Sequence, residues 1–166
     1  MASDVISGGA AATIHASVVL IGAKAALIRG PTGSGKSRLA LALVEAGRCG
    51  VIPFARLVAD DRAYVAPVHG RLLVRPAEKL AGLIEIRGLG LQRLPFEPIA
   101  VVGLVVDLDA DDAERLPSAA TRTTTIDGIA LPRLGVAPGQ DALTRVLAIA
   151  TTTMRESCGT RPLAPI

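Results

Sequence analysis

The sequence predicts an α/β fold with a mainly β core, and three observations carry that prediction. The first is the stretch Gly30-Pro31-Thr32-Gly33-Ser34-Gly35-Lys36-Ser37. It has a glycine, four free positions and then Gly-Lys-Ser, the spacing of a phosphate-binding loop. The second is the setting of that loop. Ala25-Ala26-Leu27-Ile28 ahead of it is a short apolar run ending in Arg29-Gly30, as a buried strand should end. Arg38 to Ala46 behind it is built mostly of good helix formers, with Gly47 as the expected stop. The third is a succession of short apolar and β-branched runs punctuated by glycine, proline and aspartate. Strand, glycine loop and helix in that order place the loop at the positive end of a helix dipole. The chain is expected to bind a nucleoside triphosphate.

Each residue type in the loop has a mechanical task. Gly33 and Gly35 lack a Cβ, so the backbone can take a positive φ and approach an oxyanion closely. Successive N–H groups then point into one concavity that binds phosphate oxygens. Lys36 reaches the β- and γ-phosphates as a compact point charge, and the Ser37 hydroxyl can ligand Mg²⁺.

The first dozen residues, small and uncharged apart from Asp4, read as a flexible leader without the basic start of a signal peptide. Thr13 to Ile21 is β-rich, and Gly22-Ala23-Lys24 is a turn into the strand before the loop, so the two strands predict a hairpin. His15 on the outer strand has two readings: an ordinary polar residue at a strand start, or a side chain brought near the phosphates. A loop with Gly50 and Pro53 leads to Arg56-Leu57-Val58-Ala59, a short strand ending in Asp60-Asp61. Two acids at a strand end after a phosphate loop stand where a magnesium-associated carboxylate, or a base for the attacking hydroxyl, is needed. The alternative is a solvated acidic turn beside Arg62.

Tyr64 to Pro67 and Leu72 to Val74 predict a small hairpin with His69 exposed at its turn, and Pro76 to Ala81 suits one or two helical turns. Leu83-Ile84-Glu85-Ile86-Arg87-Gly88-Leu89-Gly90 is a β-type run stopping in a glycine loop. Alternation puts Glu85 and Arg87 on one face, able to hold a metal and an anion or to pair with each other. Ala100 to Asp109 is a further buried strand, Asp111 to Pro117 a charged turn, and Thr121 to Leu134 one or two strands around Asp127-Gly128. After a loop over Val136 to Asp141, Ala142 to Ala150 is helical in composition and extends to about Glu156. Ser157 to Ile166 reads as a frayed tail.

Bulk composition narrows the function classes. The 166 residues fit one domain, and half are hydrophobic, supplied almost entirely by aliphatic side chains. Aromatics are 2%, without tryptophan, and the net charge of +3 is scattered, so neither base stacking nor a basic face argues for nucleic acid. Cys49 and Cys158 are too far apart in sequence to suggest a zinc pair or a disulfide framework, which makes a reducing cytoplasm the expectation. No apolar run is long enough for a membrane span.

Four separated stretches add up to a family pattern: His15, twenty-one residues before Lys36; the phosphate loop; Leu57-Val58-Ala59-Asp60-Asp61; and Ile84-Glu85-Ile86-Arg87-Gly88-Leu89-Gly90. Together they resemble the catalytic domain of HPr kinase/phosphorylase, the bacterial regulator of the sugar phosphotransferase system, over about residues 14 to 155. The last stretch is the most specific of the four. The resemblance implies a nucleotide-binding fold of the phosphoenolpyruvate-carboxykinase type, ATP and Mg²⁺ as cofactors, a small HPr-like phosphocarrier protein as substrate, and a hexamer. It also implies roles. Asp61 matches the acceptor of the serine proton, Ser37 and Glu85 match the Mg²⁺ ligands, and His15 and Lys36 match further active-site positions. Arg115 matches a catalytic arginine, although Pro117 departs from the family's usual glycine. Asp60 and Arg87 are further candidates.

A larger departure concerns the loop ahead of the last helix. The family usually carries Pro-Val-Arg-Pro-Gly-Arg-Asn there, where this chain has Gly135-Val136-Ala137-Pro138-Gly139-Gln140-Asp141. Both arginines are missing from a loop tied to dephosphorylation, so phosphorylase activity is in doubt. Two rivals remain. A small-molecule kinase would need an arginine-rich lid after the phosphate loop, and no such segment is present. A non-catalytic nucleotide sensor would bind without turnover, against which Asp61 and Glu85 both argue.

Overall fold

The computed structural model describes residues 12–158, and the backbone follows the hydrophobic pattern closely. The chain runs β1 (Ala12–Ile14), β2 (Ser17–Ile21), β3 (Lys24–Arg29), α1 (Lys36–Arg48), β4 (Ala55–Ala59), β5 (Ala63–Val68) and β6 (Arg71–Pro76). A 3₁₀ turn (Glu78–Leu80) follows, then β7 (Leu83–Ile86), β8 (Gly90–Arg93), β9 (Ala100–Leu108), β10 (Thr123–Ile126), β11 (Ile129–Val136) and α2 (Ala142–Cys158). The leader expected over the first dozen residues and most of the expected tail lie outside the described residues. At the inner ends the expectation needs correcting: Ala12 already opens β1, and Ser157 and Cys158 are still helical.

Nine strands form one mixed sheet in the order β1-β5-β6-β9-β3-β2-β4, with β11 on the C-terminal half of β9 and β10 on β11. Among the described strands, the β3–β9 and β9–β11 pairs are parallel and the others antiparallel. The β2–β3 hairpin is antiparallel as expected, and β4 continues the sheet beyond β2. β7 and β8 form a separate hairpin, so the run read as ending in a glycine loop turns back into a second strand.

Consecutive residues in the central strands face opposite ways, and this assigns them to two cores. Val18, Leu27, Val58 and Val105 join Val65, Leu72 and Val74 on one face. Their neighbours Val19, Ile28, Leu57 and Val106 turn to the other face, against Leu39 and Leu43 of α1 and Val146 of α2. Leu39 and Leu43 are almost wholly buried, each stabilising the helix–sheet contact by roughly 1.5–3 kcal/mol. Helix α1 is therefore fixed by packing, and with it the loop that precedes it.

The end of α1 differs from the expectation. Gly47 lies inside the helix, and Gly50, with φ 73°, is the residue that ends it. Val51 N–H donates to the Ala46 carbonyl and Gly50 N–H to that of Gly47, the bond pair of a Schellman cap. Gly47 is needed for a different reason. A Cβ there would lie 2.7 Å from the Ala55 nitrogen, so the helix can approach β4 only where a side chain is missing.

Candidate active site

The loop between β3 and α1 takes the conformation its composition demands. Gly33 has φ 84° and Gly35 φ 95°, both in the left-handed region that favours glycine. Gly35 is the N-cap of α1 but offers no side chain, so the first N–H groups of the helix have no side-chain cap. No acidic residue occupies the first turn. Ser34 Oγ is buried without a hydrogen-bond partner among the described residues. Pro31, Thr32 and Gly33 are exposed on the outside of the loop. Uncapped amides, an unpartnered hydroxyl and a first turn without an acid suit an oxyanion. Lys36 is nearly buried, and its ammonium donates 2.9 Å bonds to the carbonyls of Gly30 and Pro31.

The adjacent acids Asp60 and Asp61 are separated by burial. Asp60 is 4% exposed and faces the loop. It accepts from Ser37 Oγ at 2.9 and 3.1 Å, from Ser17 Oγ at 2.5 Å and from the Glu85 backbone N–H at 3.1 Å. Ser17 is fully buried; the only sign of it in the sequence was a lone hydroxyl among apolar strand residues. Asp61 lies one residue on, with φ 67°, and is exposed. Its Oδ1 is 3.1 Å from His15 Nε2. His15 can reach it because the first β stretch breaks at His15-Ala16, between β1 on β5 and β2 on β4. His15 thus sits beside Asp61 at the end of β4.

The pairing of a serine hydroxyl with a carboxylate at Ser37 and Asp60 is an oxygen donor set of the kind a hard divalent cation takes. Among the described residues no three His, Cys, Asp or Glu side chains are already gathered as a metal cluster. The Glu85 carboxylate is exposed, and only its backbone meets Asp60. Arg87 is exposed in the turn after β7 and forms no ion pair with Glu85. Arg115 is exposed in the loop between β9 and β10, with no ion pair or hydrogen bond among the described residues.

One set of charges behind the loop is not readable from the sequence. Arg29, the last residue of β3, donates to both oxygens of Asp107 at 2.7 and 2.9 Å. Arg133 on β11 donates to Asp107 at 2.5 Å and to both oxygens of Asp112 at 2.8 Å. Burial alone would raise the Asp107 carboxyl, but hydrogen bonds and charge from Arg29 and Arg133 hold it below the usual carboxylate value. Hydrogen bonds to Asp112, and then to Asp107, push Arg133 above its already high value. The residue preceding Gly30 is thus tied to the neighbouring strand.

The family model described as the HPr serine kinase C-terminal domain matches residues 9–95. An HPr kinase/phosphorylase of Streptococcus thermophilus is 45% identical over 80 residues, covering 48% of this chain and 24% of that protein. One from Clostridium tetani is 32% identical over 90 residues, 50% of this chain and 27% of that protein. The chain thus spans about a quarter of the length of the curated relatives it matches. Among solved structures, the HPr(Ser) kinase/phosphatase from Coxiella burnetii superposes with a TM-score of 0.71 at 24% identity, covering 89% of this chain and 99% of that one. The expected α/β fold of this kinase type is therefore the observed one. Among the described residues no helix is long and apolar enough to cross a membrane.

Proposed function

The chain belongs to the HPr serine kinase C-terminal domain family, and from that premise we propose that it transfers the γ-phosphoryl group of ATP to a serine hydroxyl of an HPr-like phosphocarrier protein. The observation that carries the reading is the split of the acid pair. Asp60 is turned inward onto the loop's Ser37, while its neighbour Asp61 stays exposed beside His15. In this reading one carboxylate serves the phosphate side and the other an incoming protein hydroxyl.

In this reading the loop amides and Lys36 hold the phosphate oxygens and orient the triphosphate. Catalysis is then mostly positioning and electrostatics. Asp61 accepts the proton of the substrate serine as its oxygen attacks phosphorus and ADP leaves. His15 holds the Asp61 carboxylate in place. Ser37 and Asp60, with Glu85 as a further ligand, would hold Mg²⁺, which supplies charge neutralisation at the phosphates. Arg115 and Arg87 are assigned to the substrate-facing surface. A cytoplasmic hexamer is the assembly that accompanies the reading.

The test is to incubate the purified chain with ATP, Mg²⁺ and an HPr-type phosphocarrier and to locate phosphoserine by mass spectrometry. Phosphoserine that disappears with Asp61→Asn supports the assignment. ATP binding without transfer to any phosphocarrier would instead support a nucleotide-sensing module.

A further inference from the structure

The segment from Asp109 to Arg122, between β9 and β10, contains no helix or strand. It starts at the phosphate loop. A Cβ on Gly30 would lie 3.0 Å from that of Leu108, the last residue of β9. Asp109 lines a cavity that Ser34 and Gly35 of the loop, Arg38 and Asp141 also border. Arg115 stands midway along the segment, exposed and uncommitted among the described residues. We propose that Arg133 is a positioning residue for the transfer: it clasps this segment against β9 and so fixes where Arg115 stands relative to the phosphate loop. The proposal rests on Arg115 facing the phosphocarrier and goes beyond that reading by naming what holds Arg115 there.

One guanidinium supplies the clasp. Arg133 Nε donates to Asp107 at 2.5 Å, and its two Nη groups donate to both oxygens of Asp112 at 2.8 Å. Nη1 also donates to the Thr121 carbonyl at 3.1 Å, so four of the five N–H donors of an arginine are used. The Arg133 backbone N–H donates to the Arg122 carbonyl at 2.7 Å. Asp112 precedes Arg115 and Thr121 follows it, so one side chain grips the segment on both sides of Arg115. A lysine could not copy this, since its ammonium lacks the planar fork that spans two carboxylates. The far side of the clasp leads to the phosphate loop. Asp107 also accepts from Arg29, and Arg29 is joined to Gly30, whose carbonyl accepts from Lys36. After Arg115, Ser118 and Thr121 bond each other and Arg122 donates to the Pro117 carbonyl, which closes that stretch into a turn. The segment is thus held on both sides while the Arg115 guanidinium keeps its donors for an acceptor on the partner.

Asp112→Ala loosens the clasp at an exposed position, since half of that side chain faces solvent and Arg133 keeps Asp107. The melting temperature and the calorimetric affinity for Mg-ATP should stay those of the parent chain. The kcat/KM for an HPr-type phosphocarrier should fall about tenfold, within the coupling seen between groups of one network. In an Arg115→Ala background the same substitution should cost less than about twofold, because the residue it positions is gone. Arg133→Met, although less stable, should show the same dependence on Arg115. Equal losses with and without Arg115, or a matching loss of Mg-ATP affinity in Asp112→Ala, would overturn the assignment and leave the kinase reading standing. So would a parental kcat/KM in both Asp112→Ala and Arg133→Met, or in Arg115→Ala. If the unaltered chain phosphorylates no phosphocarrier, the proposed function falls, and this assignment falls with it.

Discussion

Ser37 and Asp60, 23 positions apart in the chain, meet through a 2.9 Å hydrogen bond from the serine hydroxyl to Oδ1 of the carboxylate. Helix α1 brings one and β4 the other, and both elements are fixed by the same apolar face of the sheet. Among the described residues the carboxylate has no cationic partner; it is held by two hydroxyls and a backbone N–H. Hydrogen bonds to the charged form can sustain a buried carboxylate.

Asp60 and Asp61 are therefore expected to respond differently to the same substitution. Asp60→Ala leaves three donors facing a void and should destabilise the fold by about 1–3 kcal/mol, besides removing metal dependence. Asp61→Asn is on the surface and should leave the melting temperature unchanged, while slowing transfer by about 10²–10⁴-fold. Thermal melts and single-turnover transfer read the two effects separately. A large stability loss in Asp61→Asn would contradict the exposed placement.

Lys36→Met should abolish measurable triphosphate binding. The ammonium holds the carbonyls of Gly30 and Pro31, so its loss removes both the phosphate-facing charge and a brace of the loop. Circular dichroism should show the sheet intact, since the loop carbonyls can turn to water. Retained ATP affinity by calorimetry would count against the phosphate site.

Much of this was legible in the sequence, and the failures have identifiable physical causes. The phosphate loop, the strand ending in Asp60-Asp61 and the hairpins around His69-Gly70 and Asp127-Gly128 are local patterns, where turn chemistry and side-chain alternation act over a few residues. The division of labour between Asp60 and Asp61 was not legible, because it depends on which one the sheet buries. Nor was the Arg29–Asp107–Arg133 set, whose members come from three strands that become neighbours only in the folded sheet. Gly47 was misread because a helix-stopping glycine and a glycine at a tight helix–strand contact look alike in one sequence. β8 was missed because its glycine start and exposed residues carry no apolar alternation.

Gly47→Ala gives a prediction against helix propensity. Alanine in a helix interior normally gains about 1 kcal/mol over glycine. Here the new methyl would meet the Ala55 nitrogen at 2.7 Å and its Cβ at 2.8 Å, neither of which can rotate away. The variant should lose about 1–3 kcal/mol, as overpacking does. A denaturant midpoint higher than that of the parent chain would show that α1 can move off β4 without cost.

Arg133→Met tests the charges behind the loop and has a defined pH dependence. Asp107 has a lowered value in the folded chain, so its ionic bonds contribute fully above the unfolded aspartate value of about 3.9 and fade as pH falls through the folded value. The stability gap between the parent and Arg133→Met should be about 1–3 kcal/mol near neutrality and should narrow below about pH 4. A gap independent of pH down to pH 2 would mean that packing, not charge, accounts for the loss.

We also predict that phosphorolysis is weak or absent while forward transfer is retained. Inorganic phosphate must enter beside a phosphoserine, bringing two anions together, and guanidinium groups suit that task because they grip phosphate with two parallel bonds. The loop ahead of α2 offers Ala137 and Gln140 at the positions where arginines are expected. Arg133 cannot stand in, since Asp107 and Asp112 already hold its guanidinium. Hydrogen bonds from Thr144, and last the charge of Arg145, lower the Asp141 carboxyl, so Arg145 has an anion beside it. Arg38 shares its cavity with two carboxylates. Phosphoserine carrier supplied with millimolar phosphate should therefore release pyrophosphate far more slowly than ATP phosphorylates the carrier. Ala137→Arg combined with Gln140→Arg should raise that release relative to the forward rate. Equal forward and reverse rates in the unaltered chain would show that phosphate enters by a route independent of this loop.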